Sequence, residues 1–376
     1  YPDGISSFPA KGKLYIDTLY LVANPSTVTS FFGEPDTQRI TRDNPNLSYK
    51  LRKLSWSREK QNFFIGINYP WHNYGWDVGR NPYGEPANSG WSSREKQLRD
   101  DFTLFKESFG EFLGPIRIYL FFDLRTGLNY TNNQLTGFDT YVRKDIETML
   151  RIAGETGVKL NLVLFDFGIA DGQGAPGQGD HPEIIFSSDK YNFLKNLMIP
   201  LLQDMERWDN QYGNPVFALE LMNEPENMAA LIIPGYFQSL KVWFKDLTNI
   251  IHNETSFKVT LGSHSIVDMQ KWWSDIDIDI WQFHFYNYMA YEHDQVPQQL
   301  LRENIKLPGM IFCGEMQPSN LSWNIDTLKK NGYSGILPWS FNQNDGYRLK
   351  DTKEFQEIVD WVQKNSTKTN ELKEVK

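Results

Sequence analysis

The 376-residue sequence predicts an α/β fold, a (β/α)8 (TIM) barrel with a small N-terminal β-rich extension. Three observations support this. From about residue 60 onward, eight short runs rich in Val, Ile, Phe and Leu alternate with longer helical patterns. Each run is apolar almost throughout, as parallel strands are when helices cover both faces of the sheet. Eight strand-then-helix units in about 300 residues fit a closed barrel.

The predicted strands follow one another along the chain at 63–69, 116–122, 158–165, 216–222, 258–262, 278–285, 310–313 and 335–339. Helical patterns occupy 93–109, 138–156, 188–212, 234–253, 296–304, 325–331 and 353–364. The connection at 266–275 is short, so we expect an abbreviated helix there. A doubly wound sheet is the structural alternative, but it usually carries a glycine-rich phosphate turn after its first strand. No such turn follows 63–69.

Three segments are distinguished along the chain. Residues 1–59 lie outside the repeat and are too short for much core of their own, so we expect an extension packed on the barrel of residues 60–364. Residues 365–376 are polar and predict a frayed tail. The stretch 168–179 holds five glycines and predicts a long mobile loop at the barrel face where active sites lie.

Composition excludes several classes of function. The net charge of −9 argues against nucleic-acid binding, which needs a basic face. No apolar run approaches the about 20 residues of a membrane-spanning helix, so no membrane association is expected. The single cysteine, Cys313, excludes an internal disulfide, and no Cys/His spacing suits zinc. We expect a monomer, and no metal or organic cofactor is implied.

Aromatic residues make up 15% of the chain, with 12 Trp and 18 Tyr among them. Trp and Tyr suit partly exposed surfaces that stack on ligands, and a sugar-binding cleft is one such surface. The chain begins at Tyr1 without a leader, and it contains five Asn-x-Ser/Thr sequons. We expect a secreted or extracytoplasmic protein whose leader has been removed.

Two carboxylates end predicted strands at the same barrel mouth. Glu224 follows the fourth strand and Glu315 follows the seventh. Such a pair suits glycoside hydrolysis, in which one carboxyl group protonates the leaving oxygen and the other attacks the anomeric carbon. Retaining enzymes hold the two about 5–5.5 Å apart and inverting ones about 6.5–9.5 Å. Asn223 is placed to hydrogen-bond a sugar hydroxyl beside the reacting carbon.

Other strand ends supply candidate substrate-binding residues. They are Asn68, Trp71 and Trp76 at the first strand and its loop, Arg117 on the second, His284 and Tyr286 at the sixth, and Trp339 at the eighth. Because strand ends of a barrel meet at one mouth, we expect these side chains to surround the two carboxylates.

The segment 219–225, Leu-Glu-Leu-Met-Asn-Glu-Pro, resembles the Asn-Glu-Pro signature of clan A glycoside hydrolases. Taken with the other strand ends, the chain resembles family 5, the cellulase and mannanase family, over about residues 60–362. The resemblance implies that Glu224 is the acid/base and Glu315 the nucleophile. It implies a β-linked glucan or mannan as substrate.

The same resemblance implies further roles. Arg117 matches an arginine that steadies the nucleophile, His284 and Tyr286 match the pair on the sixth strand, and Trp339 matches the tryptophan beneath the −1 sugar. One position departs from the family. Asp166-Phe167-Gly168 has glycine where family 5 usually has histidine, which predicts a divergent branch.

Some candidates have structural interpretations. Glu220 points inward one layer below Glu224, and we expect an arginine to satisfy its buried carboxylate. Asp166 is expected to be structural, with a sugar contact as the alternative. Cys313 is expected to fill space inside the barrel.

In the loop after the first strand, Trp71 and Trp76, with Trp91 further on, either pack the loop itself or include at least one sugar platform. The predicted function is retaining β-glycoside hydrolysis by double displacement. A non-catalytic carbohydrate-binding protein and a transglycosylase remain the alternatives.

Overall fold

The computed structural model describes residues 63–81, 90–131, 134–170, 181–228, 231, 234–291 and 296–374. The predicted extension at 1–59 lies outside these residues, as does most of the glycine-rich stretch 168–179. None of the helices that the structure describes is both long enough and apolar enough to cross a lipid bilayer.

Eight parallel strands close into a barrel, which confirms the predicted fold. Numbered along the chain with a separate hairpin, the strands are β1 (Phe64–Asn68), β2 (Leu113–Tyr119), β3 (Leu128–Thr131), β4 (Gln134–Phe138), β5 (Leu160–Val163), β6 (Val216–Asn223), β7 (Val259–Ser263), β8 (Ile280–Phe285), β9 (Met310–Met316) and β10 (Gly335–Pro338). The order around the barrel is β1-β10-β9-β8-β7-β6-β5-β2, and β3 and β4 form the antiparallel hairpin.

Helices connect these strands. The longer ones are α1 (Glu95–Phe109), α2 (Thr140–Thr156), α3 (Ile199–Gln211), α4 (Tyr236–Glu254), α5 (Ile266–Trp272), α6 (Leu321–Lys330) and α7 (Lys353–Glu374). Local chemistry fixes several ends. The Asp139 side chain accepts the backbone N–H groups of Tyr141 and Val142 at the start of α2, and Gly157 ends that helix in the left-handed conformation. As expected, α5 is short.

One predicted helix is wrong. In place of a helix at 296–304 the structure has turns and the 3-10 turn Arg302–Asn304. Side chains from elsewhere occupy the carbonyls that a helix would use. Asn331 Nδ2 donates to the carbonyls of Pro297 and Gln298, and Tyr333 donates to that of Leu300.

Two further differences concern polar segments. The β3–β4 hairpin was not predicted, because its mostly exposed strands lack an apolar pattern. Helix α7 continues to Glu374, well past the limit expected at residue 364. The residues after 364 are polar and show no apolar face, so their sequence does not indicate a helix.

The barrel interior below the mouth combines apolar packing with one charged layer. Cys313 is buried in the main hydrophobic cluster, as expected. Glycine makes room where the charged layer crosses the sheet, since a Cβ at Gly262 would lie 2.2 Å from Glu220 Oε1. That position therefore excludes any larger residue while Glu220 keeps its place.

Candidate active site

Glu224 follows β6 in a strained backbone conformation. Its φ and ψ are 41° and 53°, the left-handed region that costs non-glycine residues energy. Its N–H donates to the Gly262 carbonyl of β7 at 2.7 Å, and Pro225 then begins the 3-10 turn Pro225–Asn227. The strain therefore falls where the chain leaves the sheet and turns a carboxylate into the barrel mouth.

Glu315 lies in β9 with two strong donors on its carboxylate. Arg117 Nη1 donates to Oε1 at 2.7 Å, and the Tyr286 hydroxyl donates to Oε2 at 2.7 Å. The register between β8 and β9 sets His284 directly beside Glu315. A guanidinium and a phenol bonded to one carboxylate favour its ionised form.

Arg117 is fully buried on β2 and supports the mouth from below. Its Nε and Nη2 donate to both carboxylate oxygens of Glu220, at 2.8 and 2.6 Å. Nη1 also donates to Asn68 Oδ1 at 2.9 Å, and Nη2 donates to Asn223 Oδ1 at 2.8 Å. The expectation that an arginine satisfies Glu220 is confirmed. Each guanidinium nitrogen is engaged by protein, so Arg117 positions Glu315 and Asn223.

Asn68 is equally enclosed. Its amide donates to the carbonyls of Gly314 and Leu337 at 2.9 and 3.0 Å while its oxygen accepts from Arg117. These bonds use both amide hydrogens and the carbonyl oxygen of a fully buried side chain. Asn68 thus joins β1 to β9 and β10 under the mouth, where it supports Arg117.

Asn223 and Asp166 form a pair at the mouth. Asn223 Nδ2 donates to Asp166 Oδ2 at 2.8 Å, and the other Asp166 oxygen accepts the Gly168 N–H at 2.9 Å. Burial raises the pKa of Asp166 to about 7. A Cβ at Gly168 would lie 3.2 Å from Asp166 Oδ1, so a larger residue there would press on this carboxylate. These contacts support the structural interpretation of Asp166.

His284 lies between the two glutamates. Its Nδ1 is 2.7 Å from Glu224 Oε1 and 3.6 Å from Glu315 Oε1. Burial lowers the pKa of His284 to about 4, so the imidazole is neutral near neutral pH. A neutral imidazole nitrogen shares one hydrogen with the neighbouring carboxyl group. The hydrogen between the two groups is on Nδ1 when Glu224 is ionised, and on Glu224 when Nδ1 is the acceptor.

The two glutamates differ in their surroundings. Burial raises the pKa of Glu224, which is partly offset by the charges of His264 and Arg117 and by a 2.7 Å bond from Asn227 Nδ2. Burial also raises the pKa of Glu315, while the charge of Arg117 and the hydrogen bond from Tyr286 act to lower it. Glu224 contacts an amide and a neutral imidazole, which tolerate a protonated carboxyl group, whereas Glu315 contacts a cation.

The separation of these groups is short. One oxygen of Glu224, one oxygen of Glu315 and one nitrogen of His284 all lie within 4.8 Å of one another. Three such ligands could also surround a cation. The Arg117 guanidinium bonded to Glu315, however, already places positive charge against the cluster and would repel a divalent ion. The arrangement fits a pair of reacting carboxylates better than a metal centre.

Aromatic rings line one side of the mouth. Trp71 packs edge-on against Trp339, with ring centroids 6.0 Å apart, and against Phe122, and its ring is tilted against that of Tyr119. Trp71 is only 7% exposed, whereas Trp339 is partly exposed and donates from Nε1 to Asp345 Oδ2 at 2.7 Å. Of these four rings, Trp339 is therefore the one that is partly exposed at the strand ends.

The rest of the loop after β1 divides between core and surface. Trp91 is fully buried against Tyr69, so it is not the sugar platform that this loop is expected to include. Trp76 is partly buried, and its contact with substrate stays a prediction. Tyr74, which was not among the predicted binding residues, is 49% exposed and contacts Trp71 at a centroid distance of 4.8 Å. Its place within Trp-His-Asn-Tyr-Gly-Trp was the available signal.

Two other residues beside Glu224 were also missed. Asn227 bonds the Glu224 carboxylate, and its place three residues later in a tight turn was the available signal. His264, in the turn after β7, was not predicted as a site residue, yet its charge acts on Glu224.

No protein-family model matches the sequence, and no curated protein matches it either. Solved structures do match. The endo-1,4-β-mannanase from Eisenia fetida has a TM-score of 0.63 at 18% identity, over 81% of this chain and 91% of that chain. The β-1,4-D-mannanase from Cryptopygus antarcticus has a TM-score of 0.61 at 19% identity, over 79% and 89%.

An endoglucanase from Pseudomonas stutzeri in complex with cellobiose has a TM-score of 0.51 at 12% identity, over 80% of this chain and 92% of that chain. The chain therefore has the barrel scaffold found in mannanases and endoglucanases, in agreement with the resemblance at its strand ends. At these identities the similarity concerns the fold.

Proposed function

We propose that this protein is a retaining β-glycoside hydrolase that cleaves β-linked mannan- or glucan-type chains by double displacement. The observation that carries the proposal is the pair Glu224 and Glu315, whose oxygens lie within 4.8 Å and whose surroundings differ. A bound of 4.8 Å between one oxygen of each carboxylate is consistent with the about 5–5.5 Å of retaining enzymes and is shorter than the about 6.5–9.5 Å of inverting ones.

In the first step Glu224 acts as the acid. Its proton passes to the glycosidic oxygen while a Glu315 oxygen attacks the anomeric carbon, so the sugar becomes an ester of Glu315 and the leaving chain departs as an alcohol. Arg117 and Tyr286 hold Glu315 in place for attack. Desolvation raises the pKa of Glu224, which favours the protonated form that the acid needs.

In the second step Glu224 acts as the base. It takes a proton from water, the resulting oxygen bonds to the anomeric carbon, and Glu315 leaves as a carboxylate. His284 and Asn227 hold the Glu224 carboxylate through this change of charge. Glu224 ends protonated and Glu315 ionised, so the site is ready for another turnover.

Substrate contacts follow from the exposed groups around this pair. Trp339 forms the floor of the −1 sugar, and Asn223, oriented by Arg117 and Asp166, bonds the hydroxyl beside the anomeric carbon. Tyr74 offers an exposed ring beside Trp71 for a further sugar of the chain. β-1,4-Mannan is the first substrate to test, because two of the similar folds described above belong to mannanases.

The test combines stereochemistry with trapping. We expect wild-type protein to release sugar from β-mannan, β-glucan or an aryl β-glycoside with retention, as read by proton NMR of the first product. A 2-deoxy-2-fluoro glycoside should label Glu315, located by peptide mass spectrometry. Glu315→Gln should abolish turnover, whereas Glu107→Gln, an exposed change on α1, should not.

The outcomes separate the alternatives. Binding of these glycans without cleavage of any would favour a carbohydrate-binding protein. Products longer than the substrate would favour a transglycosylase. Initial release of the inverted anomer would contradict double displacement. We further propose that the protein acts as a secreted monomer.

A further inference from the structure

The turn after β7 carries a histidine beside Glu224. The Glu224 N–H is bonded to the carbonyl of Gly262, and His264 follows two residues later, just past the end of β7 and before α5. The His264 side chain is only 17% exposed, and its Nδ1 lies 3.6 Å from Asp268 Oδ2. Asp268 is itself fixed, since its carboxylate accepts from the Ser265 hydroxyl and from Trp272 Nε1.

A second carboxylate ties this turn to the segment that bears Glu224. Glu226 accepts the Ser263 hydroxyl at 2.5 Å, Trp273 Nε1 at 2.5 Å and the His264 N–H at 3.2 Å. The Glu224 backbone and the Glu226 side chain are thus both hydrogen-bonded to the end of β7. The two segments hold His264 and Glu224 in a fixed relation, although the hydrolysis steps above assign no task to Glu226 or His264.

The charges of His264 and Glu224 each affect the pKa of the other residue. Asp268, then the charges of Glu224 and Glu226, raise the pKa of His264 against its burial. Burial raises the pKa of Glu224, and the charge of His264 is the largest of the effects that lower it. Glu224 also interacts, by contact or through its charge, with the titratable or charged groups of His284, Glu315, Arg117, Asp166 and Tyr286.

We propose that His264 is a positioning residue whose imidazolium, held by Asp268 and by the Glu226 bonds, sets the pH above which Glu224 loses the proton it must donate. The proposal deepens the proposed function, since it takes Glu224 as the acid/base. It predicts that His264 contacts no reacting atom and acts only through charge.

The sign of the effect follows from electrostatics. A cation near Glu224 favours its carboxylate, so loss of that cation raises the pKa of Glu224. The alkaline limb of kcat/KM reports loss of the acid's proton in the free enzyme. His264→Gln should therefore move the alkaline limb to higher pH by about 1 unit, the lower end of the shift that a neighbouring opposite charge causes. The acid limb, which reports Glu315, should move less.

A matched control is available in the same chain. His252 also pairs with carboxylates, with Nε2 2.9 Å from Asp279 Oδ2, but it lies at the end of α4 on the opposite side of the strands from the mouth. His252→Gln should leave both limbs in place. Asp268→Asn should reproduce the shift of His264→Gln in part and serves if that variant does not fold. A limb that stays fixed in both His264→Gln and Asp268→Asn overturns the proposal.

A titration without substrate separates this proposal from the proposed function. The chain has six histidines, so the His264 ring signals in a proton–carbon correlation spectrum can be assigned by their loss in His264→Gln. Coupling is reciprocal, so Glu224→Gln should lower the His264 titration midpoint by the amount that His264→Gln raises the Glu224 pKa. If the midpoint is lowered in Glu224→Gln but the wild-type protein has no hydrolase activity, the coupling is supported and the proposed function is contradicted. An unchanged midpoint in an active protein would overturn the coupling alone.

Discussion

Arg117 Nη1 donates a 2.7 Å hydrogen bond to Glu315 Oε1 from inside the barrel, where the arginine side chain is fully buried. The same guanidinium holds Glu220 through two bonds, so a single cation joins a structural carboxylate below to a reacting carboxylate above. Fold and site therefore depend on one residue. Removal of its charge must affect stability and catalysis together.

Arg117→Met should destabilise the protein by about 3–5 kcal/mol, because it leaves the Glu220 carboxylate buried and unpaired. Urea unfolding measures this loss. Arg143→Met breaks the partly exposed pair with Asp204 and should cost under about 1 kcal/mol. Equal losses in the two variants would contradict the role assigned to the buried layer.

The double variant Arg117→Met with Glu220→Gln should regain part of the stability, since Glu220, the more deeply buried of the two carboxylates that lose their cation, is then neutral. It should not regain activity, because Glu315 still lacks its cation. Recovery of turnover in the double variant would show that Arg117 acts on catalysis only through the fold.

Tyr286→Phe removes the hydroxyl that donates to Glu315 Oε2 and little else. A hydrogen bond to a charged group contributes about 1.5–3 kcal/mol, so kcat should fall about 10- to 150-fold. Loss of this donor raises the pKa of Glu315, which moves the acid limb of kcat/KM to higher pH. Tyr333→Phe removes a hydroxyl bonded to the Leu300 carbonyl and should change neither quantity. An acid limb unmoved in Tyr286→Phe would argue against Glu315 as the ionised partner.

The sequence predicted the barrel and the two glutamates because both follow from short-range pattern. Apolar runs specify buried parallel strands, and the residue that ends such a strand must lie at the mouth. It could not predict which aromatic rings are exposed. Trp91 is buried and Tyr74 is exposed, and that difference depends on long-range packing against Tyr69 and Trp71.

The roles of polar residues were harder to predict for a related reason. Asn68 and Arg117 were expected to bind substrate, yet their contacts are with protein groups far apart in sequence, such as Gly314 and Glu220. Such contacts appear only once the barrel has closed. The same holds for His264, whose neighbours Glu224 and Glu226 belong to another strand end.

Tyr74→Ala should weaken binding of long substrates while short ones are unaffected. The ring is 49% exposed and is backed by Arg125, whose guanidinium lies 4.9 Å from its centroid. Loss of one stacking partner at about 0.5–1.5 kcal/mol should raise KM for a polymer about 2- to 12-fold and leave KM for an aryl glycoside unchanged. Tyr191→Ala, at an exposed ring on the short helix Asp189–Asn192, is the matched control. Equal effects on long and short substrates would place Tyr74 outside the sugar path.

Asp166→Asn should make stability less dependent on pH. Burial raises the pKa of Asp166 from 3.8 to about 7, so the folded state binds a proton that the unfolded state has lost between these values. Wild-type stability from this group is therefore present below about pH 4 and is lost as the pH rises toward 7, by about 4 kcal/mol at most.

Urea unfolding at pH 5 and pH 7 measures this dependence. Asp166→Asn carries no ionisable group there, so its free energy of unfolding should fall less between the two pH values than that of the wild type. Asp360→Asn, at an exposed position on α7, should behave like the wild type. Because Asp166 also orients Asn223, the variant should lose activity even where it is the more stable protein. If instead its pH dependence equals that of the wild type, the Asp166 carboxyl group is not the one that takes up the proton on folding.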